Sequence, residues 1–112
     1  MTHSDFNAAQ AQTTSEGQAP LGPLSGYRAI ELCSTVAGPA CARLLADFGA
    51  DVIKVEPPAG DPLRSMGRHK GDVSLYAATM LRNKRAITID LKKPDGVKLV
   101  RTLALKSDLL VE

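Results

Sequence analysis

The chain has 112 residues, a net charge of +2 and 44% hydrophobic residues, with only 4% aromatics and no tryptophan. That length suits one small domain or part of a larger one, with a core built from Leu, Val, Ile and Ala. The mild charge excludes a surface specialised for nucleic acid or for membrane lipid, and no apolar run reaches the roughly 20 residues of a membrane span.

No basic region followed by an apolar stretch opens the chain, so no secretory leader is expected and the expected location is the cytoplasm. Its two cysteines, Cys33 and Cys41, are expected to be buried thiols rather than a disulfide. His3 and His69 are distant in sequence, so no metal site is expected.

Residues 1–22 are rich in Ala, Gln, Thr and Ser without a sustained period and are expected to form a disordered tail. Pro20, Gly22 and Pro23 mark the boundary with a folded unit over residues 23–112. Arg28–Leu32 is the first strand. Pro39 fits the first turn of a helix, where its missing N–H costs nothing, with Ser34 or Thr35 as candidate caps. This helix is expected from about Pro39 to Phe48, with Ala40, Cys41, Leu44, Leu45 and Phe48 as its apolar stripe. Gly49 is a C-terminal stop.

Asp51–Val55 is the second strand, with Ile53 and Val55 on one face and Val52 and Lys54 on the other. A loop with Pro57, Pro58, Gly60 and Pro62 continues to Asp72. A short helix over Ser74–Leu81, a basic turn over Arg82–Arg85 and a third strand over Ala86–Leu91 follow. Pro94 and Asp95 open the last helix, whose inner face is Val97, Val100, Leu103 and Ala104, with Gly96 weakening its first turn. Asp108–Val111 is the fourth strand.

The order β-α-β-α-β-α-β implies an α/β fold, a Rossmann-like, doubly wound parallel sheet with right-handed crossovers. Ligands of such sheets bind beyond the carboxyl ends of the strands. Three segments map there: Ser34–Pro39, Glu56–Arg64 and the stretch around Asp90–Lys93. The first is an anion site or a purely structural turn; it lacks the GxGxxG spacing and Pro39 removes a donor, so the pattern favours the turn. Arg82, Lys84 and Arg85 form a phosphate patch or a solvated helix end, and the pattern favours the latter. Glu31 and Glu56 are acid–base groups, partners of Arg28 or Lys54, or ordinary strand-end residues. Cys33 reads as a small buried residue more readily than as a nucleophile.

The segments PLSGYRAIEL, AGPACARLLADFGADVIKVE, GDPLR, NKRAITIDLKKPDG and DLLVE run in order from Pro23 to Glu112. Together they resemble the amino-terminal part of the family III CoA transferases, which include formyl-CoA:oxalate and carnitine CoA transferases. The resemblance implies transfer of coenzyme A between an acyl-CoA and a carboxylic acid (EC 2.8.3 type), through an Asp nucleophile, a mixed anhydride and an enzyme thioester. It implies CoA as substrate with no permanently bound cofactor and no metal, and an interlocked homodimer. The nucleophilic Asp is expected beyond Glu112, so no catalytic residue is expected in this chain. CoA contacts are implied at Thr35, Val36 and Ala37, and at Ile89, Asp90, Leu91 and Lys92, with Lys92 facing a phosphate.

Two positions depart from the family pattern. Pro57 stands where an Arg often contacts the adenine end of CoA, and Val36 stands where oxalate-specific members carry Gln. An α-methylacyl-CoA racemase is an alternative, although the long stretch GDPLRSMGRHKGDVSLYAATMLRNKR fits the transferases better. A non-catalytic CoA-binding remnant is a third.

Overall fold

The computed structural model describes residues 22–112. The expected tail therefore lies outside the described residues except for Gly22, whose carbonyl accepts from the Ser25 N–H and hydroxyl. Four parallel strands form the main sheet in the order β5-β2-β1-β6: β1 Arg28–Glu31, β2 Asp51–Glu56, β5 Lys84–Thr88 and β6 Leu109–Val111. Three helices, α1 Ala37–Asp47, α2 Leu75–Met80 and α3 Pro94–Leu105, alternate with them. The chain steps outward from β1 to β2 to β5, then crosses back to place β6 on the other side of β1. The Rossmann-like parallel sheet with alternating strands and helices read from the sequence is observed.

The period-2 alternation of the strands gives the sheet two different faces. Ala29 and Val52 share a register position and pack with Ala42, Ala46 and Ala50 under α1. Ile30 and Ile53, one residue on, pack on the opposite face with Val55, Ile89 and Val100 of α3. Small alanines on one side and branched residues on the other set how closely each helix approaches.

The α1 stripe differs from the expected one. Pro39, Ala42 and Ala46 are buried, while Leu44 and Phe48 are half exposed and Cys41 is exposed. Of the expected stripe, Leu45 packs against this core as read, while the fully buried positions of α1 go to the small residues Ala42 and Ala46. Neither Ser34 nor Thr35 caps the helix; Val36 is the N-cap and makes no side-chain capping bond. The end is as expected: Gly49 has φ +105, its N–H bonds Ala46 O and the Ala50 N–H bonds Leu45 O, a Schellman pair.

The inner face of α3 is likewise rotated. Val100 is buried and Leu103 packs beside it, but Val97 is 42% exposed. Gly96 takes the inward place because a Cβ there would overlap the Asp90 carbonyl. Its cost in helix propensity is offset by the close approach of α3 to the turn after β5.

The expected loop before Asp72 contains a 3₁₀ turn at Pro62–Ser65 and an antiparallel two-residue ladder, β3 His69–Lys70 with β4 Val73–Ser74. The third main strand begins at Lys84, not Ala86, and ends at Thr88. The basic turn is thus half strand, and Asp90–Lys92 lie beyond the strand end. Among the described residues, no helix is long and apolar enough to cross a membrane.

Candidate functional site

The carboxyl ends of β1, β2 and β5 open into a cleft of about 560 Å³. Leu32 and Ser34 line it after β1, Val55–Ala59 and Pro62 after β2, and Ile89–Lys92 after β5. Leu32, Val55 and Ile89 belong to or pack on the branched core below α3, so the floor of the cleft is apolar. Its rim carries Ser34, Glu56, Asp90 and Lys92.

Of the residues expected to contact ligand, Ile89, Asp90, Leu91 and Lys92 line this cleft together, whereas Thr35, Val36 and Ala37 do not. Ile89 is buried and its N–H donates to Glu56 O at 2.9 Å, extending the β5–β2 ladder to the cleft edge. Asp90 Oδ1 accepts from the Lys92 N–H at 3.0 Å, closing a short turn ahead of α3. Pro58 and Ala59 fall in the segment Glu56–Arg64 that the sequence maps to this edge, whereas Leu32 and Val55 were not expected there; the alternation that puts Val55 on one face with Ile53 was the available signal.

Behind the cleft, on the α1 face, lies a buried ionic cluster. Lys54 has a fully buried side chain, and its Nζ lies 2.7 Å from both Glu31 Oε1 and Asp61 Oδ2. It also donates to Cys33 O at 2.9 Å. Lys84 Nζ reaches Glu31 Oε2 at 2.7 Å and Pro39 O at 2.8 Å. Two carboxylates and two ammoniums therefore balance within the cluster, which is what allows them to be buried at all. Burial opposes the Lys54 charge, yet the bonds to Asp61 and Glu31 outweigh it and hold the ammonium above its ordinary value.

Asp61 is the hub between this cluster and the loops. Its Oδ1 accepts from the Leu63 N–H at 2.9 Å and the Thr35 N–H at 3.3 Å. Burial pushes its carboxyl up, but the Leu63 N–H, Lys54 and the Thr35 N–H together bring it below the ordinary range. The Asp61 N–H donates to Glu56 Oε2 at 2.8 Å. Arg64 grips Glu56 through two bonds, at 2.7 and 2.5 Å. That fork, working against burial and aided by the Asp61 N–H, holds the Glu56 carboxyl low. In GDPLR the Asp therefore turns inward and the Arg turns back over β2, with Gly60 at φ +83 making the bend.

These contacts settle several open readings. Glu31 pairs with Lys54 and Lys84, and Glu56 pairs with Arg64. The basic run divides: Arg82 and Arg85 stay exposed, as the solvated reading has it, and pair with Asp47 at 2.6 Å and Asp51 at 2.8 Å, whereas Lys84 is buried against Glu31. Burial and then the Glu31 carboxylate push the Cys33 thiol up, away from nucleophilic character. Both cysteines are free, but Cys41 is exposed and Cys33 only partly buried, where two buried thiols were expected. Among the described residues, no group of three His, Cys, Asp or Glu is placed to hold a metal ion.

A parallel sheet with helices on both faces and a cleft over its strand ends defines an α/β unit of Rossmann type. The chain belongs to CoA-transferase family III, whose family model matches residues 24–112. It is 51% identical over 98 residues to the succinyl-CoA–D-citramalate CoA-transferase of Chloroflexus aurantiacus, covering 85% of this chain and 24% of that protein. It is 45% identical over 91 residues to the formyl-CoA:oxalate CoA-transferase of Bradyrhizobium diazoefficiens, covering 80% of this chain and 21% of that protein. Among solved structures, a CAIB/BAIF family protein from Brucella suis superposes with a TM-score of 0.74 at 38% identity, over 81% of this chain and 25% of that one. The chain thus spans about a quarter of the length of these relatives.

Proposed function

We propose that this chain forms the CoA-binding edge of a transferase that moves coenzyme A between an acyl-CoA and a carboxylic acid. The observation that carries the reading is the cleft of about 560 Å³ at the strand ends, with an apolar floor and Lys92 on its rim. Apolar walls suit the adenine and pantetheine parts of CoA, and a rim ammonium suits a phosphate. Ile89, Asp90, Leu91 and Lys92 are the contacts on one side. Thr35, Val36 and Ala37 are contacts from the segment after β1. Pro57, in place of an arginine, leaves the adenine end held by the walls and by Lys92 rather than by a guanidinium.

Glu31, Glu56 and Asp61 are all committed to buried or bidentate pairs, which argues against any of these three as the nucleophilic carboxylate. CoA itself is the substrate, no resident cofactor takes part, and the active assembly is an interlocked homodimer in the cytoplasm. A racemase has no observation here in its favour.

The test is calorimetric titration of the chain with CoA. Saturable binding is expected, and Lys92→Ala is expected to weaken it about two- to fivefold, as for a partly screened ion pair. The difference shrinks as salt is raised. No thioester exchange is expected from the chain alone. Identical affinity for wild type and Lys92→Ala removes Lys92 from the site, and exchange that persists through purification refutes the assignment of the nucleophile.

A further inference from the structure

The segment joining β1 to α1 has a backbone that its own residues disfavour. Thr35 has φ +71, a left-handed conformation that is an outlier for a β-branched residue. Val36, next in sequence, has φ −127 and ψ −73, outside the main allowed regions. Such conformations persist only where surrounding structure over-determines them.

Two contacts from distant segments do so at Thr35. Asp61 Oδ1 accepts the Thr35 N–H at 3.3 Å, and the Tyr76 hydroxyl donates to Thr35 O at 3.1 Å. Both faces of one strained residue are thereby fixed, one by the 3₁₀ turn and one by α2. Each anchor is itself anchored. Asp61 is tied to the fully buried Lys54, and the Tyr76 Cβ lies against Gly67, where an added Cβ would come within 3.1 Å.

The geometry points to Asp61 and Tyr76 as positioning residues for CoA: together they clamp Thr35 left-handed and so preset the Thr35–Ala37 segment for the ligand. This inference rests on the CoA-binding reading given above. It assigns a role to GDPLR and to Tyr76 that neither the cleft lining nor the chemistry of transfer requires. A segment already held in its bound form spares the ligand the cost of ordering it.

The test uses CoA titrations of the chain as wild type, Tyr76→Phe, and the double variant Tyr76→Phe with Thr35→Gly. Tyr76→Phe removes one hydroxyl and keeps the ring against Gly67. It is expected to weaken CoA binding about tenfold, the value of one lost bond to a strained peptide. Glycine takes positive φ as readily as negative, so the double variant is expected to bind more tightly than Tyr76→Phe alone. A Tyr76 that only supports the fold gives a loss that the second substitution does not recover. Equal binding by wild type and Tyr76→Phe, or a double variant no tighter than the single one while circular dichroism shows both folded, overturns the clamp. Absence of saturable binding in the wild type overturns the CoA reading itself, and the clamp with it.

Discussion

Replacing Lys54 with methionine removes the cation at the centre of the buried cluster while keeping a stem of similar length. Lys54 Nζ sits 2.7 Å from Glu31 and 2.7 Å from Asp61, with none of its side chain exposed. At an effective dielectric of about 20, one such contact is worth on the order of 6 kcal/mol, before the larger part is returned as the desolvation of the ions. After the substitution Glu31 keeps Lys84 at 2.7 Å, but Asp61 loses its 2.7 Å ion pair and keeps the backbone donors of Thr35 and Leu63. Cys33 O loses a donor as well. Stranding a buried charge in this way costs about 3–5 kcal/mol, a large share of the roughly 5–15 kcal/mol of a whole domain.

The exposed pair Arg85–Asp51, with side chains 63% and 36% exposed, is the control. Arg85→Ala should cost no more than about 1 kcal/mol. Urea unfolding followed by circular dichroism separates the two. With a slope of about 1 kcal/mol per molar for a small domain, Lys54→Met lowers the midpoint by about 3 M or more. Adding Asp61→Asn to Lys54→Met should recover part of that loss, because the carboxylate left without its partner is gone. A Lys54→Met midpoint within about 0.5 M of wild type, or one no lower than that of Arg85→Ala, refutes the reasoning.

The carboxyls of Asp61 and Glu56 are held low, so the unfolded chain binds more protons than the folded one as acid is added. Their contribution is fully present above the ordinary carboxylate value of about 4 and is lost as pH falls through it toward the depressed folded values. Lys54 is held high, so its contribution is complete below the ordinary lysine value of about 10.4 and disappears as pH rises through the folded value. Thermal midpoints measured across pH should form a plateau between these limits; a midpoint that rises as pH drops below about 4 contradicts both carboxylate assignments. Gly96→Ala separates propensity from packing by sign. Helix propensity alone predicts a gain of about 1 kcal/mol, whereas overlap with the Asp90 carbonyl predicts a loss of about 1–3 kcal/mol. The same shift of the Asp90–Lys92 turn should weaken CoA binding, and a higher melting point with unchanged affinity would count against the packing account.

The alternation of strands and helices, the stop of α1 at Gly49 and the two faces of β2 were legible because hydrophobic periodicity and glycine act locally. The placement of Val52 and Lys54 on one face was read correctly, yet a lysine there is not by itself a sign of burial. Its partners Asp61 and Lys84 arrive from segments that local patterns cannot join. The faces of α1 and α3 were read in part: Leu45, Val100 and Leu103 pack on the core as expected, and the departures have one physical reason. Apolar spacing finds bulk, but the backbone fits closely over Ala29 and Asp90, so Ala42, Ala46 and Gly96 take the inner positions and Leu44, Phe48 and Val97 are turned out. Within the basic run Arg82 and Arg85 lie at the surface as read, and only Lys84 departs, because its partner Glu31 is far away in sequence. At the site, the segment Ile89–Lys92 was legible through family resemblance, while the apolar floor at Leu32 and Val55 emerged only once the strands were side by side.

The central claim is that CoA binds at the carboxyl ends of β1, β2 and β5. Amide chemical-shift mapping of the chain titrated with CoA tests it most directly. The account predicts saturable shifts at Thr35–Ala37 and Ile89–Lys92, with Val55, Glu56 and Ala59 of the cleft wall moving with them. Shifts confined to the polar crevice at the other end of the sheet, around Arg28, Asp51 and Asp108, or no saturable shifts at all, would contradict it.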